Sequence, residues 1–226
     1  MKSRFLGLFV FLVLSASPAA ALETEHEDWF QVTATGHIHG RWLGFLELQP
    51  RLGESPQSDE WDIRAFIARG ALGWEVKKGW TLWMGYGYTP VYDPDRDEHR
   101  VFQQSQVDWE LGPFNASYRT RLEERLLEHE SEASIRLRNQ MRLLYPLPRF
   151  PTWSLVAADE LFLDLNSVKK GSESGFDQNR LYLGVSQQWN KHVRLELDYL
   201  NQMVQRDRGN EDVLRHSLFL QVALGW

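Results

Sequence analysis

The amino-acid sequence predicts an all-β protein, a single antiparallel transmembrane β-barrel of 10–12 strands after a cleaved signal peptide. Three observations lead to this fold class. Most of the chain is a succession of segments in which apolar and polar residues alternate, the pattern of strands with one apolar and one polar face. Short turns alternate with longer polar loops between these segments. Trp residues concentrate beside the short turns, as in proteins that meet a membrane interface.

The chain begins with the features of a secretory signal peptide. Lys2 and Arg4 form a basic start, an apolar run too short to span a bilayer as a helix follows, and small residues precede a cleavage position after Ala21. The expected location is therefore the outer membrane of a Gram-negative bacterium, reached through the periplasm. The predicted divisions are a signal peptide at 1–21, a charged lead-in at 22–28 and a barrel domain at 29–226.

Composition excludes several classes of protein. The chain has no Cys, so disulfides do not hold this exported protein together. Its formal net charge of -6 and its export both argue against a nucleic-acid partner. No later apolar run is long enough for a membrane-spanning helix. Strands are then the means by which this chain would cross a membrane.

Eleven strand-like segments follow the lead-in. Their expected ranges are 29–37, 41–51, 61–75, 79–89, 99–111, 113–126, 133–145, 152–165, 176–189, 192–205 and 214–226. The last ten alternate regularly between turn and loop, beginning and ending at the short-turn, periplasmic side. Segment 29–37 is an odd eleventh in a class of barrels with even strand counts. It is interpreted as a continuation of the next strand, as a periplasmic piece, or as a sign of one further strand.

The connections and the Trp residues distinguish the two ends of the predicted barrel. Short turns are expected at 77–79, 112–113, 146–151 and 190–191, and long polar loops at 52–60, 90–98, 127–132, 166–175 and 206–213. Seven of the 10 Trp residues lie at the short-turn level: Trp42, Trp74, Trp80, Trp109, Trp153, Trp189 and Trp226. Such a girdle at strand ends is typical of an outer-membrane barrel, whereas a soluble core would scatter Trp through strand middles.

One hairpin, residues 114–144, carries an unusual row of arginines. Arg on the lipid-facing side near the bilayer centre costs roughly 2–4 kcal/mol, so the charged row is expected to face the lumen. The predicted lumen-lining residues are Arg119, Arg121, Glu123, Arg125, Arg136, Arg138, Arg142, Glu160, Arg180 and Glu196. Unpaired basic side chains would favour passage of anions, whereas pairing with the carboxylates would fill and stiffen the lumen. The alternation of acids and bases favours the paired arrangement, and a narrow solute or anion passage remains the porin-like alternative.

The last segment alternates from His216 to Trp226 and ends in an aromatic residue. This pattern resembles the terminal signal that the outer-membrane barrel assembly machinery recognises. That machinery is one expected partner, and outer-membrane lipid with lipopolysaccharide is the other.

An ordered set of short motifs extends over nearly the whole mature chain. It includes Arg119-x-Arg121-Leu122-Glu123-x-Arg125, Arg136-x-Arg138 before Tyr145-Pro146-Leu147, Glu160-x-Phe162, Phe176-x-Gln178-Asn179-Arg180 and Glu196-x-x-Tyr199-Leu200-x-Gln202. In this set the chain resembles the Gram-negative family known as domain of unknown function 2490. The resemblance implies an outer-membrane β-barrel. It implies no activity and no catalytic residues.

A structural or passage role has two alternatives, a hydrolase and a surface interaction protein. A lipid-modifying hydrolase would need Ser and His paired at the loop-side rim, where His99 and His216 are the candidates. A surface interaction protein would use loops 90–98, 166–175 and 206–213. No complete catalytic constellation, metal motif or cofactor motif is present, so the sequence favours a role without catalysis and predicts no metal and no cofactor.

Overall fold

A computed structural model describes residues 23–54, 61–92, 95–128, 130–168, 173–206 and 212–226. The strands are β1 (Glu23–His39), β2 (Trp42–Glu54), β3 (Trp61–Lys77), β4 (Trp80–Tyr92), β5 (Asp95–Leu111), β6 (Phe114–Leu127), β7 (Ser134–Leu147), β8 (Phe150–Asp164), β9 (Gly175–Gln188), β10 (Val193–Val204) and β11 (Val213–Gly225). They form one closed barrel in chain order. The predicted all-β barrel and its strand number are confirmed. The predicted signal peptide lies outside the described residues.

An odd number of strands determines how the barrel closes. Because β1 and β11 run in the same direction, their pairing is parallel, with His26 beside His216 and Thr35 beside Gly225. All other neighbours in the barrel are antiparallel. The interpretations of segment 29–37 as an extension of the next strand, a periplasmic piece or a sign of another strand are therefore wrong. It belongs to the strand that closes the sheet and leaves no edge unpaired.

Strand β1 also begins earlier than expected. It starts at Glu23, so most of the predicted charged lead-in is strand. The physical reason is pairing with cations from the end of β10 and from β11. Arg206 donates to Glu23 at 2.6 Å and to Glu25 at 2.8 Å, and Arg215 Nη2 donates to Glu25 at 2.5 Å. These ion pairs hold the acidic segment in the sheet.

The short connections at one end of the barrel define the turn end, and the longer connections define the loop end. At the turn end Gly40, Gly79 and Gly112 have φ of 55°, 79° and 58°, a left-handed conformation that glycine adopts without strain. At the loop end the predicted 90–98 loop is largely strand, because β4 and β5 continue to Tyr92 and Asp95. β1 begins at the loop end, and β11 finishes at the turn end.

The two faces of the wall differ in character. Leu46, Leu72 and Met84 point outward and expose 61%, 58% and 62% of their surface. The Trp residues of the turn end also lie on the outside, with Trp42 exposed by 48% and Trp189 by 66%. The inward face instead carries charged and aromatic side chains with little exposure. Among the described residues, no helix is long and apolar enough to cross a membrane.

Candidate functional site

Strands β6 and β7 supply the largest share of the charged interior. Side chains on a strand alternate between its two faces, so one parity of each strand points into the barrel. On β6 the inward set includes Arg121 and Glu123, which expose 3% and 0% of their surface. On β7 it includes Arg136 and Arg138, at 4% each. The outward neighbour Tyr118 is exposed by 42%.

All ten residues predicted to line the lumen lie on the inward face. Their exposed side-chain fractions range from 0% for Glu123 to 21% for Arg119, and each contacts an oppositely charged interior side chain. We call this set the interior network: Arg119, Arg121, Glu123, Arg125, Arg136, Arg138, Arg142, Glu160, Arg180 and Glu196.

Arg138 lies at the centre of the interior network and joins two carboxylates. Its Nη1 donates to Glu123 at 2.8 Å and its Nη2 to Glu160 at 2.7 Å. Arg136 donates to the other oxygen of Glu123 at 2.8 Å, and Arg119 donates to Glu160 at 2.6 Å. Buried charges are stable only when they are paired and hydrogen-bonded. This shared pairing satisfies the two glutamates and connects β6, β7 and β8 inside the barrel.

Sequence reasoning missed Glu98, which organises the loop end of the interior. Glu98 is 1% exposed and accepts hydrogen bonds from Arg100 at 2.8 Å and from Arg125 at 2.5 Å. It falls within the predicted 90–98 loop. The signal that could have placed it is parity, since Glu98 and Arg100 share the parity of Gln104 on the same strand.

A second missed member is Arg69 on β3, which donates to Glu47 of β2 at 2.5 Å. Both side chains are nearly buried, at 7% and 4% exposed. The parity of this strand is ambiguous from sequence because Arg64 and Arg69 have opposite parity. A register shift beside Arg51 separates the two halves of β3, which explains the conflict.

Toward the turn end, Arg142 of β7 donates to Glu196 of β10 across the interior. Asp198 lies two residues further along the same inward face and is fully buried. Neither of its carboxylate oxygens accepts a hydrogen bond from an arginine or an amide among the described residues. Gly184 lies beside Asp198 in the neighbouring strand. The absence of a side chain at this glycine leaves room for the carboxylate.

Aromatic rings separate the guanidinium groups. The Phe162 ring is buried, with the Arg138 and Arg180 guanidiniums each 4.5 Å from its centre. The Trp29 ring lies against Arg51 at 3.7 Å and against Arg180 at 4.8 Å. Arginine stacks on aromatic faces favourably because its planar cation is weakly hydrated. These rings fill the space between like charges that would otherwise repel.

The rim candidates His99 and His216 lie on the outer wall near the loop end. His99 Nδ1 is hydrogen-bonded to Tyr86, and His216 Nδ1 to Tyr199. Within the described ranges, no hydrogen bond joins either histidine to a serine, and Ser217 points to the opposite face of the wall from His216. The Ser–His arrangement that a hydrolase would require is therefore not assembled at these positions. The described part of the chain also holds no cluster of three His, Cys, Asp or Glu suited to a metal ion.

Comparison with known proteins agrees with the family resemblance. The family described as Protein of unknown function (DUF2490) matches residues 27–213. An uncharacterized protein of Methylorubrum extorquens is 33% identical over 228 residues, which cover 95% of each chain. The matched region runs from the acidic part of β1 to the first residue of β11 and contains the whole interior network. The chain therefore belongs to the DUF2490 family of proteins of unknown function.

Proposed function

We propose that this protein is an integral outer-membrane β-barrel whose lumen is closed by paired arginine and glutamate side chains. It acts as a membrane-embedded scaffold and not as an open pore. The observation that carries the proposal is the interior network, in which Arg138 joins Glu123 and Glu160 at the middle of a closed sheet.

The outer wall supports a membrane location. Large apolar side chains such as Leu46, Leu72 and Met84 are more than half exposed. Soluble monomers rarely expose contiguous apolar surface on this scale, whereas a lipid-facing wall requires it. The Trp residues at the turn end correspond to an interfacial girdle. Short turns in such barrels lie on the periplasmic side, so we assign the turn end to the periplasm.

Polar side chains also occur on the outer wall, and two pairs of them are hydrogen-bonded to each other. Asn179 of β9 donates to Asp159 of β8 at 3.1 Å, and the Tyr118 hydroxyl of β6 donates to Asn139 of β7 at 2.9 Å. Pairing lowers the cost of placing polar groups in hydrocarbon. This arrangement is compatible with a lipid-facing wall.

The interior argues against free passage of solutes. Water-filled porins leave their lumen charges solvated, whereas Arg121, Arg136 and Arg138 are each about 5% exposed or less. The side chains meet across the interior instead of lining a channel. An interior of paired charges and guanidiniums stacked on aromatic rings makes the barrel wall more rigid.

Planar-bilayer recording tests the closed lumen. We expect the purified protein to be silent, and a Glu123→Ala/Arg138→Ala double variant to conduct, because the central pairs are removed together. The matched control is Arg206→Ala, whose ion pairs lie at the exposed loop end. Reproducible conductance of the unmodified protein would refute closure.

Membrane location and orientation are tested in cells. The protein should fractionate with outer membranes and migrate differently before and after boiling. An epitope inserted beside Ser131, at the loop end, should be accessible to antibody on intact cells. The same epitope beside Pro148, at the turn end, should react only after the outer membrane is opened. Recovery of the protein from the soluble periplasm would contradict the proposal. So would an epitope that reacts on intact cells at the turn end and not at the loop end.

A further inference from the structure

A cavity of about 170 Å³ lies inside the turn-end half of the barrel, against β1–β6. Part of its wall is apolar and aromatic, formed by Phe45, Trp83 and Phe102. The rest includes Arg119 and Arg121. A cavity of about 150 Å³ is enough to hold one benzene ring. The space therefore fits a single ring with a small polar group.

The positive charge beside this cavity is incompletely compensated. Arg121 gives two of its hydrogen bonds to Gln104, a neutral amide, at 2.9 and 2.6 Å. Its nearest carboxylate oxygen, on Glu123, is 3.6 Å away, and its buried Nη1 has no hydrogen-bond partner among the described residues. Glu123 already accepts from Arg136 and Arg138. An anion in the cavity would add the compensation that Arg121 lacks.

Arg119 is the more accessible of the two cations. Its side chain is 21% exposed, whereas that of Arg121 is 4% exposed. One of its nitrogens is held by Glu160, which also accepts from Arg138. The other donors of the Arg119 guanidinium have no hydrogen-bond partner among the described residues, and this group matches a carboxylate in shape and charge.

Among the described residues, the side chains around the cavity leave access from the turn end. Toward the loop end, the interior network closes the lumen with side chains that are about 11% exposed or less, such as Arg125 and Arg138. Toward the turn end lie the side chains of Arg119 and Arg142, which are 21% and 19% exposed. The cavity is thus a dead-end recess that a small molecule enters from the turn-end mouth.

We propose that this recess is a binding site for a small aromatic carboxylate. The carboxylate pairs with Arg119 and adds negative charge beside Arg121, and the ring lies against the aromatic part of the cavity wall. Edge and face contacts between rings favour an aromatic body over an alkyl one. The site depends on the barrel geometry and not on the membrane location. Only the side from which the ligand comes, the periplasm, rests on the proposed function.

The test is calorimetric titration of the full-length protein in detergent micelles with benzoate. We expect a dissociation constant below about 10 mM, which corresponds to ordinary ligand efficiency for a molecule of so few atoms. Benzamide, which has the ring without the charge, and acetate, which has the charge without the ring, should each bind at least about tenfold more weakly, a difference of one strong contact.

Variants separate the site from nonspecific binding to the micelle. Arg119→Gln should weaken benzoate binding by about tenfold or more, while Glu160 keeps its bond to Arg138. Ala71→Leu should abolish binding by filling the recess, since Ala71 lines it. Arg142→Gln is the matched control, because this interior arginine lies outside the recess, and it should bind benzoate as the unmodified protein does. Each variant is first shown to fold by its heat-modifiable migration.

Three results would overturn the site. The first is that folded protein gives no heat of binding with benzoate. The second is that benzoate and benzamide bind with equal affinity. The third is that Arg119→Gln and Arg142→Gln lose the same amount of benzoate affinity. None of them bears on whether the protein resides in the outer membrane, which fractionation decides.

Discussion

Arg138 and Glu160 meet inside the barrel, with Arg138 Nη2 2.7 Å from Glu160 Oε1 and neither side chain more than 5% exposed. Arg138 also holds Glu123 at 2.8 Å. One guanidinium thus satisfies two buried carboxylates on the strands that flank its own. The interior depends on such sharing because the inward charges of β7 are all arginines, so their carboxylate partners come from other strands.

Removing Arg138 should therefore cost more than removing a surface cation. We expect Arg138→Met to lower the free energy of unfolding by about 3–5 kcal/mol, since two buried carboxylates lose a partner. Urea titration of the folded, heat-modifiable band measures the change. In Arg206→Met, whose ion pairs with Glu23 and Glu25 are partly exposed, the loss should stay below about 1 kcal/mol. Equal losses in the free energy of unfolding would show that the central ion pairs contribute no more to stability than the exposed ones.

The paired polar groups of the outer wall give a second prediction. Asn179→Leu should destabilise the barrel by about 1–3 kcal/mol, because Asp159 is left without its donor at an apolar surface. Adding Asp159→Leu should recover most of the loss, since both polar groups are then replaced. The same urea titration detects both changes. If the double variant were as unstable as the single one, the bond between the two side chains would not be the cause.

A third prediction concerns the carboxy-terminal Trp226, whose indole lies over Gly36 of β1. A Cβ built at Gly36 would come within 2.5 Å of this indole, so a larger residue must displace it. Gly36→Val should reduce the yield of barrel refolded in detergent, where no assembly machinery is present. Gly112→Ala serves as a control, because a Cβ there meets nothing within 4 Å and only the φ of 58° is strained. An unchanged yield for Gly36→Val would mean that the contact with Trp226 is dispensable.

A fourth prediction concerns the hydrolase alternative. The bonds of His99 and His216 to Tyr86 and Tyr199 account for both rings without a nucleophile. We expect the unmodified protein to leave phospholipid and lipopolysaccharide uncleaved. The variants His99→Gln and His216→Gln should give the same result. Mass spectrometry of lipids incubated with each purified protein measures this. Lipid cleavage that His216→Gln abolished would restore the hydrolase interpretation.

Strand alternation predicted the barrel and the charged interior, because face and parity are local properties of a strand. It placed Arg136 and Arg138 beside Glu123 without any knowledge of distances. It did not predict that β1 is a full closing strand. That outcome depends on ion pairs such as Arg215 with Glu25, which join residues 190 positions apart, and no local pattern contains such information. Glu98 was missed because β4 and β5 extend into the predicted 90–98 loop. Arg69 was missed because a register shift in β3 left the inward face of that strand ambiguous.

The turn-end recess could not be predicted from the sequence either. Arg119 and Arg121 were recognised as inward residues, but their pairing was expected to extend to the whole row. The recess exists because β3 presents the small Ala71 to the interior opposite aromatic side chains on other strands. Such a space arises from the sum of side-chain volumes around the wall, which only the closed sheet determines.

The parallel contact between β1 and β11 also bears on the order of folding. Every other pair of strands joins chain neighbours, so each forms after closing only a short loop. The last pair joins Gln31 to Gln221, 190 residues apart, and its loop-closure entropy is the largest of all. Pairing between chain neighbours should therefore proceed first, leaving an open curved sheet with β1 and β11 as its two free edges. The final step of folding is the meeting of these edges, and it is also the step at which an unfinished sheet could accept a strand from another chain.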